Sequence, residues 1–268
     1  MIEQIRPGTS ASGARVAIFD FDGTISLIRS GWVDIMVPMM VEILADLKTG
    51  ESEDALREVV HEFVWRLTGK ETIYQMMEFA EHVRKRGGQA LEPIEYKKMY
   101  LDLLWVKIRG RVEELQKGQV EPEQYMVPGV RGLLERLRDQ GLKMYLASGT
   151  DHAFMSEEAR LLNVAHFFDG GVFGALDNFS FSKKILVQQI ISSTDVAGGQ
   201  IVVFGDGYVE IEEVKLVGGI AVGVATTEPA CTEIDTWKRD RLVGVGADII
   251  VPNFERHAEL VDILFPRT

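Results

Sequence analysis

The sequence predicts an α/β fold in which an all-helical domain is inserted into a domain built on a parallel sheet. Near both ends of the chain, short apolar runs alternate with amphipathic helical segments, whereas residues 31–119 show only helical spacing. Strands that alternate with helices form right-handed β-α-β units and a parallel sheet covered on both faces. We therefore predict a core domain of residues 1–26 and 127–268, and a helical domain of residues 27–126.

The core segments contain all of the predicted strands. These are short apolar runs at residues 15–19, 143–147, 171–173, 201–204, 220–224 and 248–251. Amphipathic helices are expected at residues 130–140 and 154–162, and a further helix is expected to begin after Ser182, a favourable N-cap. Within the inserted domain, glycine and proline separate about four helices, with breaks at Gly50, Gly69, Gly87 and Pro93.

Composition places the chain among ordinary globular proteins. It has 268 residues, of which 46% are hydrophobic and 26% charged, and this length can bury a core without covalent cross-links. The single cysteine, Cys231, cannot form an internal disulfide, so we expect a reducing compartment, the cytoplasm. No segment approaches the roughly 18 uninterrupted apolar residues of a membrane span, so we expect no membrane partner.

The charge balance excludes a second class of partner. Forty-one acidic residues against 29 basic ones give a formal net charge of −12, and such a surface repels nucleic-acid backbones. A small anionic substrate would have to be met by local cations, by backbone N–H groups or by a metal ion. A site for such a substrate is therefore expected where these groups are concentrated.

Polar residues follow three of the predicted strands. They are Asp20 and Asp22 after the first strand, Ser148 and Gly149 after the second, and Asp206 and Glu210 after the fourth. Because ligands bind at the carboxyl ends of parallel strands, we expect these residues to share one site. Asp20 and Asp22 are two residues apart, which turns both carboxylates to one side of an extended backbone. Together with Asp206 they would form an oxygen-rich pocket suited to Mg²⁺.

The order and spacing of these residues resemble the four motifs of the haloacid dehalogenase (HAD) superfamily of phosphohydrolases. Residues 20–24 match the first motif, DxDGT, Ser148 matches the second, and residues 205–210 match the fourth, GDxxx[D/E]. The resemblance covers roughly two thirds of the chain. It implies a Rossmann-like core with a type 1 helical cap, as in relatives of phosphoglycolate phosphatase and β-phosphoglucomutase.

The third HAD motif is a lysine at the head of a helix, and two adjacent residues could supply it. Lys183 is favoured over Lys184 because it directly follows the Ser182 cap, where the helix dipole also attracts an anion. Its spacing to Leu186 and Ile190 also resembles that of the phosphoserine phosphatase branch. Lys184 is the alternative phosphate ligand. Whichever of the two lysines is not the motif lysine is expected to be an ordinary solvent-exposed residue at the start of the helix.

The resemblance implies a Mg²⁺-dependent phosphatase that cleaves a small phosphorylated metabolite through an aspartyl-phosphate intermediate. Asp20 would be the nucleophile and Asp22 the general acid and base, while Lys183, Ser148 and the Gly149 N–H would bind the phosphoryl group. The metal would be held by the side chains of Asp20 and Asp206 and by the main-chain carbonyl of Asp22. Glu210 would bind the metal through water or hold one of its ligands, or would be a surface residue.

Two alternatives stay open at the level of sequence. A phosphomutase of the β-phosphoglucomutase type would use the same aspartyl phosphate and return the phosphoryl group to its substrate. A non-catalytic phosphate-binding module is disfavoured by the intact set of motif residues. The sequence predicts neither the substrate nor the oligomeric state.

Specificity is expected to reside in the cap. The loop at residues 68–71, between two predicted helices, resembles the specificity loop of type 1 caps and is expected to face the active site. Gly69 and Lys70 are its candidate residues, and Arg29 and Trp32 are secondary candidates. An exposed turn carrying an ordinary surface lysine is an equally good interpretation of this loop.

Overall fold

A seven-stranded sheet organises the part of the chain described by the structure, a computed structural model that covers residues 1–175, 183–193 and 196–266. The strands are β1 (Glu3–Gln4), β2 (Val16–Phe19), β3 (Lys143–Asp151), β4 (Gly171–Ala175), β5 (Ile201–Gly205), β6 (Ile220–Val224) and β7 (Ile249–Val251). Their order across the sheet is β1-β7-β6-β5-β2-β3-β4, and every pair is parallel except β1 with β7. The predicted α/β class and all six predicted strands are confirmed.

Two features of the sheet differ from the prediction. β1 was not predicted, because a two-residue strand is too short to show a hydrophobic period; it pairs Glu3 with Ile250 at the edge of the sheet. β3 continues four residues beyond the predicted end, and after an irregularity in register Asp151 pairs with Ala175. The additional residues are polar, so they extend the strand without extending the apolar run.

Four helices fill the stretch between β2 and β3, as predicted. They are α1 (Val33–Ala45), α2 (Glu53–Leu67), α3 (Thr72–Lys85) and α4 (Pro93–Gln116). Ser52 caps α2 by accepting a hydrogen bond from the Ala55 N–H, and α4 begins with Pro93 inside a capping box formed by Glu92 and Glu95. These helices form the all-helical cap, while the predicted domain limits at residues 26 and 127 stay a prediction.

Helices of the core cover both faces of the sheet. They are α5 (Val130–Asp139), α6 (His152–Leu161), α7 (Lys183–Ser193), α8 (Tyr208–Leu216), α9 (Thr236–Gly244) and α10 (His257–Leu264). The predicted N-cap of α7, Ser182, lies outside the described residues, and α7 begins at Lys183. No helix among the described residues combines the length and hydropathy needed to cross a membrane.

The centre of the sheet is buried on both sides, which fixes where its strands end. Along β2, Val16 and Ile18 belong to one apolar cluster together with Leu186 of α7, whereas Ala17 and Phe19 belong to the other. Phe19 stacks on Phe204 of β5 with ring centroids 4.6 Å apart. The polar residues that follow β2 and β5 are therefore anchored by rigid, fully buried neighbours.

Candidate active site

Three neighbouring strands deliver the motif residues to one edge of the sheet. β2 lies between β3 and β5, and Phe19 is in register with Leu146 on one side and with Phe204 on the other. The Asp20 N–H donates to the Phe204 carbonyl at 2.9 Å, which continues the β2–β5 pairing by one residue. The side chains that follow these strands therefore meet in one place, as the parallel topology predicts.

A buried lysine lies at the centre of this edge. The Lys183 Nζ is 2.8 Å from Asp20 Oδ1 and 2.9 Å from Glu210 Oε2. All three residues are almost completely buried, with exposed fractions of 2% for Lys183, 6% for Asp20 and 0% for Glu210. Two buried carboxylates thus share one ammonium group, which compensates part of their desolvation.

Burial and charge shift the pKa values of this cluster in a consistent way. Burial raises the pKa of Asp20 well above its ordinary range, although the positive charge of Lys183 opposes this shift. Burial raises the pKa of Glu210 in the same way. Burial alone would lower the pKa of Lys183, but Asp20 and Glu210 outweigh it and raise that pKa. Lys183 is therefore firmly cationic.

A third carboxylate completes an acidic cluster. Asp20, Asp206 and Glu210 each offer an oxygen, and these oxygens lie within 4.8 Å of one another. Glu210 is held from behind, because its Oε1 accepts a hydrogen bond from the Gly207 N–H at 3.0 Å. Three carboxylates at this spacing form a donor set of hard oxygen ligands, which fits Mg²⁺.

Asp206 is positioned by contacts from two other elements. Its N–H donates to Thr24 Oγ1 at 3.0 Å, which joins the loop after β5 to the loop after β2. Its Oδ2 lies 2.9 Å from the Nζ of Lys238, a residue of α9 that also contacts Glu228 Oε1 at 2.9 Å. Burial would lower the pKa of Lys238, but the two carboxylates raise it, so Lys238 is a fixed counter-charge beside the acidic cluster.

Asp22 occupies a more open position than Asp20. Its side chain is 30% exposed, compared with 7% for that of Asp20. Asp22 Oδ2 accepts hydrogen bonds from Thr150 Oγ1 at 2.7 Å and from Ser148 Oγ at 3.4 Å. Asp22 Oδ1 has no hydrogen-bond partner among the described residues, although the Arg29 Nε lies 3.9 Å away. One carboxylate oxygen is therefore held by hydroxyl groups, while the other is buried without a hydrogen-bond partner among the described residues.

The cap closes this edge of the sheet into a cavity of about 120 Å³. The core supplies nine of its lining residues, and six of these are predicted site residues: Asp20, Asp22, Ser148, Gly149, Lys183 and Asp206. The cap side supplies polar and apolar groups, among them Arg29, Trp32, Gly69, Lys70, Gln75 and Tyr100. The structure thus brings ten of the twelve candidate residues to one cavity.

The two other candidates have different positions. Glu210 lies beneath the cavity, in contact with Lys183. The structure does not bring Lys184 to the cavity; its exposed side chain turns away and its Nζ lies 2.6 Å from Glu213 Oε1. Consecutive residues in the first turn of a helix point about 100° apart, so only one of the two lysines can face the sheet edge.

Arg29 is already paired within the cavity wall. Its guanidinium group binds Glu158 of α6 through three hydrogen bonds, the shortest being 2.7 Å from Nη2 to Oε1. It also lies 5.6 Å from the centre of the Phe154 ring. Lys70, by contrast, forms no ion pair in the described part of the chain, and its Nζ lies 5.8 Å from the Tyr74 ring centre. Lys70 is therefore the cap cation whose charge is available to a ligand.

The loop that carries Lys70 lies directly on the core. Gly69 has a φ angle of +94°, and a Cβ there would lie 3.1 Å from the Gly207 Cα. A Cβ on Gly149 would meet the Lys70 carbonyl oxygen at 3.5 Å, in ordinary contact. Glu71 Oε1 accepts a hydrogen bond from the Lys183 N–H. Segment 68–71 of the cap therefore contacts the C-terminal part of β3, the loop after β5 and the first residue of α7.

Sequence reasoning missed several residues of this site. Thr150 carries a local signal, because it follows Ser148 and Gly149 at the end of β3. Glu71 is the neighbour of Lys70 in the predicted cap loop, but its contact with Lys183 spans 112 residues. Lys238 has no comparable signal, since it resembles any lysine of an amphipathic helix until the fold places it against Asp206.

The fold and this acidic cavity define an α/β enzyme with its site at the carboxyl edge of the sheet. Residues 14–218 match the family model of haloacid dehalogenase-like hydrolases. The chain therefore belongs to the haloacid dehalogenase-like hydrolase family, and the resemblance drawn from the four motifs is confirmed. A search of curated proteins found no match to the sequence.

Solved structures share this fold at low sequence identity. A predicted phosphoglycolate phosphatase from Haemophilus somnus 129PT is 14% identical, with a TM-score of 0.59 over 93% of this chain and 98% of that one. A predicted phosphatase from Clostridium acetobutylicum is 17% identical, with the same TM-score over 93% and 99%. A β-phosphoglucomutase from Clostridium difficile is 15% identical, with a TM-score of 0.52 over 86% and 98%. Each similarity includes both the Rossmann-like core and the helical cap.

Proposed function

We propose that this hydrolase is a Mg²⁺-dependent phosphatase that cleaves a small phosphorylated metabolite through an aspartyl-phosphate intermediate. The observation that carries the proposal is the buried contact between Lys183 and Asp20 in the lining of a cavity that Asp22 also lines. A carboxylate held beside a fixed ammonium group can attack a phosphoryl group whose charge that ammonium partly neutralises.

The contacts of each side chain support its proposed role. Asp20 is the nucleophile; it is almost fully buried and held by Lys183 at one oxygen. Asp22 is the general acid and base, because it is the more exposed carboxylate and its Oδ1 has no hydrogen-bond partner among the described residues. It gives a proton to the leaving oxygen and later takes one from the water that attacks the intermediate. Ser148 and the Gly149 N–H would donate to phosphoryl oxygens, a role supported by the position of both residues in the cavity lining.

The proposed magnesium ion would be held by Asp20 and Asp206, with Glu210 as a further ligand or as the residue that holds a ligand. When bound, the ion would neutralise negative charge on the phosphoryl oxygens. Lys238 fixes one oxygen of Asp206 and leaves the other available. The family resemblance adds the main-chain carbonyl of Asp22 as a ligand.

The size and lining of the cavity limit the substrate. A volume of about 120 Å³ is well below the roughly 300 Å³ at which pockets for drug-sized ligands begin, so we propose a leaving group of few atoms. Because Arg29 is paired with Glu158, Lys70 is the cap cation proposed to bind an anionic or hydroxylated part of that leaving group. We retain the domain limits of residues 26 and 127, and a cytoplasmic location, as part of the proposal.

Phosphate release from a panel of sugar phosphates, phosphoglycolate, nucleotides and amino-acid phosphates tests this function. Asp20→Asn is the matched variant, since it keeps the size of the side chain but removes the nucleophile. We expect a loss of at least ~10³-fold in turnover with the fold intact by circular dichroism. A folded Asp20→Asn protein within tenfold of wild-type activity contradicts the covalent mechanism. Return of the phosphoryl group to the substrate without net release would instead indicate a phosphomutase.

A further inference from the structure

One buried cap carboxylate has its hydrogen-bond partner in the core. Glu71 directly precedes α3, and only 6% of its surface is exposed. Its Oε1 accepts a hydrogen bond from the backbone N–H of Lys183, the first residue of α7. Lys183 is therefore held at both ends, with its Nζ between two core carboxylates and its backbone nitrogen on a carboxylate of the cap.

The chemistry of a helix start explains why this contact is strong. The first N–H groups of a helix have no partner within the helix, and the helix dipole places partial positive charge on them. A carboxylate accepting from such a group forms a charge-assisted hydrogen bond, which is shorter and stronger than a neutral one. Glu71 thereby satisfies a buried donor that belongs to the residue whose ammonium group contacts Asp20.

The surrounding contacts place Glu71 there only when the cap lies on the core. Gly69 packs against Gly207 in the loop after β5 and against Tyr208, the first residue of α8, and Gly149 lies beside the backbone of Glu71. At the preceding helix, Arg241 of α9 donates to the carbonyl oxygens of Trp65 at 2.5 Å and Arg66 at 2.7 Å. Displacement of this segment would break all of these contacts together and withdraw Glu71 from Lys183.

We propose that Glu71 is a positioning residue that couples the closed cap to the catalytic lysine. With the cap closed, Glu71 fixes the first residue of α7 and so fixes the ammonium group beside Asp20. With the cap displaced, the Lys183 N–H loses its carboxylate partner, so the backbone end of Lys183 is no longer fixed by the cap. The catalytic consequence rests on the proposed phosphatase function, whereas the coupling itself concerns only the cap and α7.

The test compares Glu71→Ala with Glu71→Gln. The alanine variant removes the acceptor, whereas glutamine keeps an oxygen that can accept from the Lys183 N–H without the negative charge. Glu81→Ala is the matched control, because Glu81 is an exposed carboxylate of α3 whose partner is Arg84 on the same helix. Thermal unfolding of all three variants shows whether the fold is retained; if Glu71→Ala does not fold, the isosteric Glu71→Gln variant carries the test.

The first measurement is hydrogen exchange at the Lys183 amide by NMR, which needs no substrate. We expect Glu71→Ala to exchange at least ~10-fold faster than wild type, Glu71→Gln to lie between them, and Glu81→Ala to match wild type. If exchange at the Lys183 amide is unchanged in Glu71→Ala, the coupling is overturned. If only Glu71→Gln folds, unchanged exchange in that variant overturns it. Because this result does not depend on turnover, it stands even if wild-type protein releases no phosphate, an outcome that would refute the proposed function alone.

The second measurement separates positioning from general stability by comparing kcat and KM on a generic aryl phosphate. We expect kcat to fall ~10- to 100-fold in Glu71→Ala with partial recovery in Glu71→Gln, while Glu81→Ala keeps wild-type values. Faster exchange with unchanged kcat in an active enzyme would show that the contact stabilises α7 without positioning Lys183, and the proposed role would be wrong.

Discussion

Replacing Lys183 and Lys184 in turn by methionine tests the central cluster with a built-in control. The two residues are adjacent in the first turn of α7, and methionine keeps a comparable unbranched apolar side chain while removing the charge. Lys183 is buried and contacts two carboxylates, whereas the side chain of Lys184 is 53% exposed. The same chemical change is therefore made once inside the cluster and once outside it.

The expected magnitudes follow from burial. Removing one partner from a buried ion pair destabilises a protein by about 3–5 kcal/mol, because the remaining charge is left buried without compensation. Lys183→Met leaves Asp20 and Glu210 in that condition, so we expect the free energy of unfolding to fall by about this amount. Lys184→Met should lower it by less, because the Lys184 ammonium is exposed and buried Glu213 keeps a hydrogen bond from Gln188 at 2.7 Å, whereas Lys183→Met leaves two buried carboxylates without their shared cation.

Urea unfolding with and without Mg²⁺, together with steady-state kinetics, measures both effects. We expect Mg²⁺ to restore more stability to Lys183→Met than it adds to wild type, because a divalent cation can replace the lost charge among the carboxylates. Turnover should fall by ~10²- to 10³-fold in Lys183→Met and stay near wild type in Lys184→Met. Equal unfolding free energies for the two variants, or equal turnover, would refute the assignment of Lys183.

Three further predictions concern metal, specificity and pH. Chelation should abolish phosphate release, and added Mg²⁺ should restore it. Asp206→Ala should raise the Mg²⁺ concentration needed for half-maximal activity at least ~10-fold. Full activity after exhaustive EDTA treatment would contradict the proposed metal. Lys70→Ala should lower kcat/KM for the best substrate, with a loss of transition-state stabilisation of ~1–3 kcal/mol, and should leave kcat/KM for a generic aryl phosphate unchanged. Equal effects on both substrates would make Lys70 an ordinary surface residue. Hydrogen bonds from Arg86 and, to a smaller extent, from Thr49 lower the pKa of Glu51 from 4.5 to about 2, so the stabilisation from these contacts is present above pH 4.5 and is lost as the pH falls towards 2. In Arg86→Ala, NMR titration should find a higher pKa for Glu51 than in wild type, and an unchanged low value would contradict Arg86 as the main cause.

The sequence predicts the sheet and the cap well because their signals are local. β2, β5 and β6 are continuous apolar runs buried on both faces, which is the pattern of central parallel strands. The cap helices are separated by glycine and proline residues whose effect on the backbone does not depend on the rest of the fold. β1 lacks such a signal, since its two residues form a strand only because β7 offers an unpaired edge.

The residues of the candidate site also differ in whether the local sequence predicts them. Asp20, Asp22 and Asp206 could be predicted because each follows an apolar run within three residues. Glu71 and Lys238 could not, because their functional contacts are made across the cap interface or between distant parts of the core. Lys238 illustrates the difficulty: an amphipathic helix normally exposes its lysines, yet this one is only 9% exposed and contacts Asp206.

The charges around the cavity bear on whether this acidic protein can bind a phosphate without a metal ion. The cations near the acidic cluster are already occupied: Lys183 contacts Asp20 and Glu210, and Lys238 contacts Asp206 and Glu228. Together with Asp22, five carboxylates face two ammonium groups, so the cluster by itself repels a phosphate dianion. Lys70, the cavity-lining cation that forms no ion pair among the described residues, adds a single positive charge, and backbone N–H groups carry only partial charge, so these groups do not offset the carboxylates. This excess of carboxylates is the physical reason to expect that phosphate binding, and not only turnover, depends on a divalent cation. Titration calorimetry of inorganic phosphate with and without Mg²⁺ measures that dependence, and equal affinity in both conditions would contradict it.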